Sequence, residues 1–129
     1  MTGPEAQERT FTIDGLPEET TEAVGDIERC PLTTALDVLG GKWKLIIVYW
    51  LAHGVHRFSD LQRRQPTITH KVLTESLRQL EEDGLVTRKV YAQVPPRVEY
   101  RLTDYGQTAL PLVDQVRRWG SLHLQRRPV

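Results

Sequence analysis

Thr69, His70, Lys71, Thr74 and Arg78 bring hydroxyl, imidazole, ammonium and guanidinium groups together at helical spacing. At 100° per residue from His70, Thr74 falls at about 40°, Arg78 at about 80° and Lys71 at about 100°. Such a set lacks the paired nucleophile and base of a catalytic site, but it can donate to base edges and phosphates. A DNA major groove about 12 Å wide admits a helix whose first turns reach the bases. Thr69, His70, Lys71 and Thr74 are therefore base-edge candidates, and Arg78, farther along, is a phosphate candidate. The same pattern also fits a solvated amphipathic helix.

A second basic group follows. Arg88, Lys89, Arg97 and Arg101 lie in two stretches rich in β-branched and aromatic residues, separated by Ala92 to Pro96. A hairpin tipped by Pro95-Pro96 and flanked by arginines suits phosphates or a minor groove. It would equally serve as an edge hairpin protected by charge against aggregation.

Cys30 is the single cysteine, so the chain can form no internal disulfide and no zinc cluster can be built around it. Placed before Pro31 at a helix start, it meets unpaired amides and the helix dipole, with Arg29 adjacent, and all of these favour thiolate. A thiolate there can attack an electrophile or another sulfur; the plainer role is a small residue capping a helix. Trp43, Tyr49, Trp50 and Trp119 could line an effector cavity or simply belong to the core. His53 and His56 have no further ligands near them in sequence. No cofactor is expected, and no constellation for an enzyme is found.

Positioning these groups requires a definite order of elements. Pro31 suits the first turn of a helix carrying Leu32, Ala35, Leu36 and Leu39, which Gly40-Gly41 should stop. A strongly apolar helix is expected over 42–52. Ser59 is a candidate cap for a short helix to about Arg64, ended by Pro66. Thr69 should cap the next helix, with Leu73, Leu77 and Leu80 as its apolar stripe and Gly84 as its stop. Helix, tight turn, helix and hairpin then lead to a last helix bearing Leu110, Leu112, Val113, Val116, Trp119 and Leu122, which Pro111 should bend or break. The fold class is mainly α with a small β-hairpin, a winged helix-turn-helix.

The chain's 129 residues leave room for one domain with an extension, and 39% hydrophobic and 26% charged residues are ordinary for a folded protein. Seventeen basic and seventeen acidic residues cancel overall, but the cancellation hides a segregation. Residues 1–29 hold eight acidic and two basic side chains, leaving fifteen basic and nine acidic from Cys30 onward. Residues 1–29, broken by glycine and proline, read as a flexible acidic extension, or as a clasp on a partner through Phe11, Ile13 and Leu16. Residues 30–123 read as the domain and 124–129 as a tail. The longest apolar run, Leu45 to Ala52, falls far short of the ~20 residues needed to span a bilayer, and the first residues lack a secretory signal. A cytoplasmic location without membrane contact is expected.

These pieces occur in a specific order: Cys30-Pro31, Leu39-Gly40-Gly41-Lys42-Trp43, Arg57-Phe58, Leu73-Thr74, Leu77, Leu80-Glu81, Asp83-Gly84-Leu85-Val86, Pro95-Pro96-Arg97-Val98-Glu99-Tyr100, Leu102-Thr103 and Gly106. Over about residues 30–123 the chain resembles the HxlR-type family of bacterial winged-helix transcriptional regulators, relatives of the MarR group. The resemblance implies a homodimer on double-stranded DNA at an inverted repeat, acting as a repressor, with one recognition helix and one wing from each subunit. It implies that the terminal helices of the folded part form the dimer interface, through Leu32, Leu36, Leu112, Val113, Val116, Trp119 and Leu122. It also implies oxidant or electrophile sensing at a cysteine near Cys30; a small-molecule effector is the other source of control. Pro66-Thr67 departs from the Pro-Gly pair that such relatives often carry before the recognition helix. A winged helix used only for protein contacts is the competing function, and salt-sensitive DNA binding separates the two.

Overall fold

The computed structural model describes residues Cys30–Arg126, so the acidic extension and the last three residues lie outside the described part. The chain divides into two compact units, Met1–Asp37 and Val38–Val129. In the first, helix α1 (Pro31–Leu39) begins at the proline, and the Cys30 carbonyl accepts the Thr34 N–H at 3.0 Å; the helix ends just inside the second unit. Leu32 and Leu36 are exposed on it.

In the second unit, Gly41 takes φ +84° and the chain re-enters helix as α2 (Lys44–Ala52). Ile47, Val48 and Leu51 of α2 are buried, and Trp43, Tyr49 and Trp50 pack partly buried against the core. Helix α3 (Phe58–Arg64) follows, with Arg57 as its N-cap. Arg57, not Ser59, occupies that position because the backbone before α3 is held extended. Arg57 forms an isolated antiparallel bridge with Glu99, and the Tyr100 N–H donates to the His56 carbonyl at 2.8 Å.

The turn to helix α4 (His70–Glu82) closes by Ile68 N–H donating to the Gln65 carbonyl at 3.0 Å. No non-glycine residue among those described has positive φ, so the turn at Pro66-Thr67 does not call for a glycine. Leu73, Leu77 and Leu80 are buried along α4, and side chains of this type stabilise by about 1.5–3 kcal/mol each when buried. The helix ends in a glycine cap. Gly84 at φ +83° donates to the Glu81 carbonyl at 3.0 Å, Leu85 donates to the Leu80 carbonyl at 2.9 Å, and the two leucines are both buried.

Strands β1 (Val86–Tyr91) and β2 (Arg97–Leu102) form the antiparallel hairpin, in register from Val86 opposite Leu102 to Tyr91 opposite Arg97. Thr103 then caps the short helix α5 (Asp104–Gln107), its hydroxyl oxygen accepting the Gly106 N–H at 2.8 Å. Helix α6 (Leu110–Arg126) starts beside Pro111, so the proline lies in a first turn instead of bending a longer helix, and the helix runs past residue 123. Helix α2 packs on α4, β2 and α6, while α4 packs on β1 and α3 on β2. One buried cluster results, from Leu39 through Ile47, Leu61, Leu73 and Tyr100 to Val113. Val113 thus belongs to the core and is unavailable to a dimer interface, whereas Leu112, Val116, Trp119 and Leu122 stay exposed.

Candidate nucleic-acid interface

The entry to α4 is fixed locally. Thr69 has an extended backbone and its Oγ1 accepts the Val72 N–H at 3.1 Å, a cap worth about 1 kcal/mol. With the leucine stripe buried, Thr69, His70, Lys71, Thr74 and Arg78 are all exposed, as their angular positions require. Three of them are already partly engaged. The His70 ring lies 4.8 Å from that of Phe58 in α3, and the Thr74 hydroxyl donates to the His70 carbonyl at 2.8 Å, leaving its oxygen free to accept. Arg78 Nη1 lies 3.4 Å from Glu82 Oε2, so its charge is shared. Lys71 makes no ion pair among the described residues and projects from the first turn.

The hairpin does not present its cations as one group. Opposed residues of a ladder share a face, so Arg88 stands with Tyr100 on the core side, while Lys89, Tyr91, Arg97, Glu99 and Arg101 occupy the other. There Glu99, only 12% exposed in its side chain, sits 3.3 Å from Arg97 Nε and 3.3 Å from Arg101 Nη2. The Arg97 guanidinium also lies 4.0 Å from the Tyr91 ring centroid, and Lys89 Nζ approaches the same ring at 4.9 Å. Both contacts are of cation–π type. Arg97 is thus held between a carboxylate and a ring and is 28% exposed. Glu99 and Tyr91 are the residues that a reading of positive charge alone passes over.

Between α4 and the hairpin runs an open groove of about 750 Å³, with Phe58, Val98 and Tyr100 among its walls and Arg57, Arg78, Arg88 and Arg97 on it. Thr74 and His70 from α4 line the same groove, so the helix and hairpin candidates do meet. Ser59 and Glu81 line it too; the sequence marked Ser59 as a helix cap and Arg57 and Glu81 as motif residues, but none of the three as part of a DNA-contacting surface. Glu81 lies about 20° from His70 at 100° per residue, so the angular arithmetic could have placed it on this face.

Cys30 is half-buried and unpaired. Its thiol is held below the ordinary value, first by the Thr33 backbone N–H and then by that of Leu32, with the Thr33 hydroxyl adding and partial burial opposing. These amides are the second and third of α1, as expected for a residue at the N-cap. Arg29 lies outside the described residues. Trp119 is 65% exposed on α6, its ring stacked on His123 at 5.3 Å, and so does not join Trp43, Tyr49 and Trp50 against the core. No group of three or more His, Cys, Asp or Glu residues that could hold a metal occurs among the described residues. No described helix is long and apolar enough to cross a membrane.

This geometry recurs in known proteins. The profile of the HxlR-like helix-turn-helix family matches residues 38–128. The HTH-type transcriptional regulator YdeP of Bacillus subtilis (strain 168) is 46% identical over 101 residues, covering 78% of this chain and 79% of its own. An HTH-type transcriptional regulator of Methanothermobacter thermautotrophicus is 42% identical over 115 residues, 88% of either chain. Among solved structures, the redox regulator HypR in its oxidized form superposes with a TM-score of 0.69 at 49% identity, covering 78% of this chain and 100% of that one. The reduced form of HypR gives 0.67 at 50% identity over 70% and 90% of the two chains. With that profile matched over 38–128 and relatives at 42–46% identity over most of their length, the chain belongs to the HxlR-like helix-turn-helix family of transcriptional regulators.

Proposed function

We infer that this regulator binds double-stranded DNA as a homodimer, with α4 in the major groove and the β1–β2 hairpin as its wing. The observation that carries the reading is the Thr69-capped α4, whose exposed polar face brings His70, Thr74 and Arg78 to a groove shared with Arg88 and Arg97 of the hairpin. Thr69, His70, Lys71 and Thr74 take the base edges, while Arg78, Arg88, Lys89, Arg97 and Arg101 serve the phosphates. A twofold dimer places two such units on an inverted repeat. The exposed apolar residues of α1 and α6, Leu32, Leu36, Leu112, Val116, Trp119 and Leu122, supply the contact between subunits. Resemblance to the HxlR-type family favours repression and a cytoplasmic location.

Control is assigned to Cys30, whose lowered pKa and likeness to a redox regulator support thiol chemistry. Oxidation of two Cys30 thiols by diamide would join two chains through one disulfide, the two electrons and two protons passing to the diamide. A small effector between the helices is the other route to release.

The test is a gel-shift salt series on operator DNA recovered by in vitro selection, beside random-sequence duplex. Wild type should bind both, with affinity falling steeply as salt rises and a preference for the selected sequence. Lys71→Ala should relax discrimination at one base pair, while Arg88→Ala should weaken both complexes alike. Absence of any salt-sensitive binding would overturn the reading and leave a module for protein contacts.

A further inference from the structure

The cations around the groove are not equivalent. Arg78 is paired with Glu82, and Arg97 and Arg101 share Glu99. Among the described residues, Arg57 and Arg88 have no carboxylate within ion-pair distance, so of the arginines on the groove these two carry uncompensated charge. Arg88 lies within the hairpin. Arg57 lies on neither the recognition helix nor the wing.

Its placement is nevertheless rigid. The isolated backbone bridge between Arg57 and Glu99, and the Tyr100 N–H donated to the His56 carbonyl at 2.8 Å, tie residues 56 and 57 to β2. One residue later α3 begins, with the Phe58 ring against His70 of α4. Arg57 therefore stands at the junction of helix-turn-helix and wing, exposed, with its backbone tied to the wing and its successor to the recognition helix.

We propose that Arg57 is a further DNA-contacting residue, a phosphate clamp at the joint between helix-turn-helix and wing. An uncompensated guanidinium on a fixed backbone can take two phosphate oxygens at once, and its planar fork loses less freedom per hydrogen bond than an ammonium does. It reads no base, so it adds affinity equally to every sequence and helps hold the register in which α4 meets the groove. The proposal rests on the DNA-binding reading and adds to it a contact outside both cationic elements.

The experiment is fluorescence anisotropy on labelled random-sequence duplex across a salt series, using full-length wild type, Arg57→Gln and Arg57→Lys, with Arg63→Gln as control. Arg63 lies on α3, which Arg57 caps, but pairs with Asp60 and does not line the groove. Arg57→Gln, which removes one contact from each subunit of the dimer, is expected to weaken binding at least about tenfold and to flatten the log–log salt slope by about 2. Arg57→Lys should recover most of that slope, and Arg63→Gln should match wild type. An unchanged slope in Arg57→Gln, whether or not affinity falls, overturns the clamp, because a structural role would not alter counterion release. Wild type failing to bind at any salt overturns the DNA-binding reading itself, and the clamp with it. Should Arg57→Gln unfold, the slope of Arg57→Lys decides: a lysine slope matching wild type supports the clamp, and one flattened as for a lost charge overturns it.

Discussion

Gly106 lies directly against the backbone of Leu85. A Cβ at Gly106 would collide with the Leu85 carbonyl oxygen and stand 3.0 Å from its carbon. That carbonyl also accepts the Thr103 N–H at 2.9 Å, and the Thr103 hydroxyl donates to the Gly84 carbonyl at 2.6 Å. The end of α4, the base of the wing and the start of α5 are thus locked through one close approach of main chain. Gly106→Ala should cost about 2–4 kcal/mol, because backbone and not a flexible side chain must move. Urea unfolding would measure it; a change within 0.5 kcal/mol would mean that the contact is loose.

Glu99 restrains two of the wing's arginines, and its removal should separate their charge from their positioning. Glu99→Gln keeps the shape and deletes one negative charge beside Arg97 and Arg101. Binding to random-sequence duplex should tighten at low salt, with a salt slope steeper by about 2, one for each subunit of the dimer. Preference for the selected operator should fall, since the guanidinium groups then lose a fixed direction. Stability should drop by about 1 kcal/mol, because both arginines remain partly solvated. An unchanged slope would show that the carboxylate does not modulate the wing's charge.

These two contacts also mark the limit of what the sequence makes legible. The recognition helix can be read because its signals are local: a threonine cap, a leucine stripe of period 3.6 and a closing glycine. Glu99 escapes a reading of basic residues because its worth lies in bridging Arg97 and Arg101. Arg57 and its displacement of Ser59 as the cap depend on the pairing of residues 56 and 57 with β2, which no spacing within α3 encodes. The division of the wing between two faces was open to strand alternation, since Arg88 shares its parity with Val86 and Val90 while Lys89 does not. Val113 stands about 60° from Val116 on α6, closer than Val116 is to Leu122, so angular arithmetic does not separate it from the exposed stripe, and its burial depends on the packing of α6 against α2.

The Cys30 thiol sits below its ordinary pKa, so it should react with a haloacetamide at a rate whose pH midpoint falls below that of a free cysteine peptide measured alongside. Since the Thr33 and Leu32 main-chain amides lead the effect, Thr33→Ala should move the midpoint upward only slightly. Deprotonation rises with pH, so reactivity should climb through that midpoint and level off above it. Cys30→Ser should retain DNA binding and lose release by diamide. Unchanged release in Cys30→Ser would retire the cysteine as the sensor.

Two residues of α6 separate folding from assembly. Val113 is buried in the core, whereas Trp119 is 65% exposed and stacks on His123, on the helix face that carries Leu112 and Val116. Val113→Ala should lower stability by about 1–3 kcal/mol without altering the contact between folded subunits. Trp119→Glu should leave the subunit fold intact, because the ring touches little of the core, while burying a carboxylate in an apolar interface should disfavour the dimer strongly. Sedimentation equilibrium should then give a monomer for Trp119→Glu and a dimer for wild type. The monomer should also bind the selected operator more weakly than the dimer by far more than it loses on random DNA, since only the twofold pair engages both half-sites at once. A dimer that survives Trp119→Glu would move the subunit contact away from this face of α6.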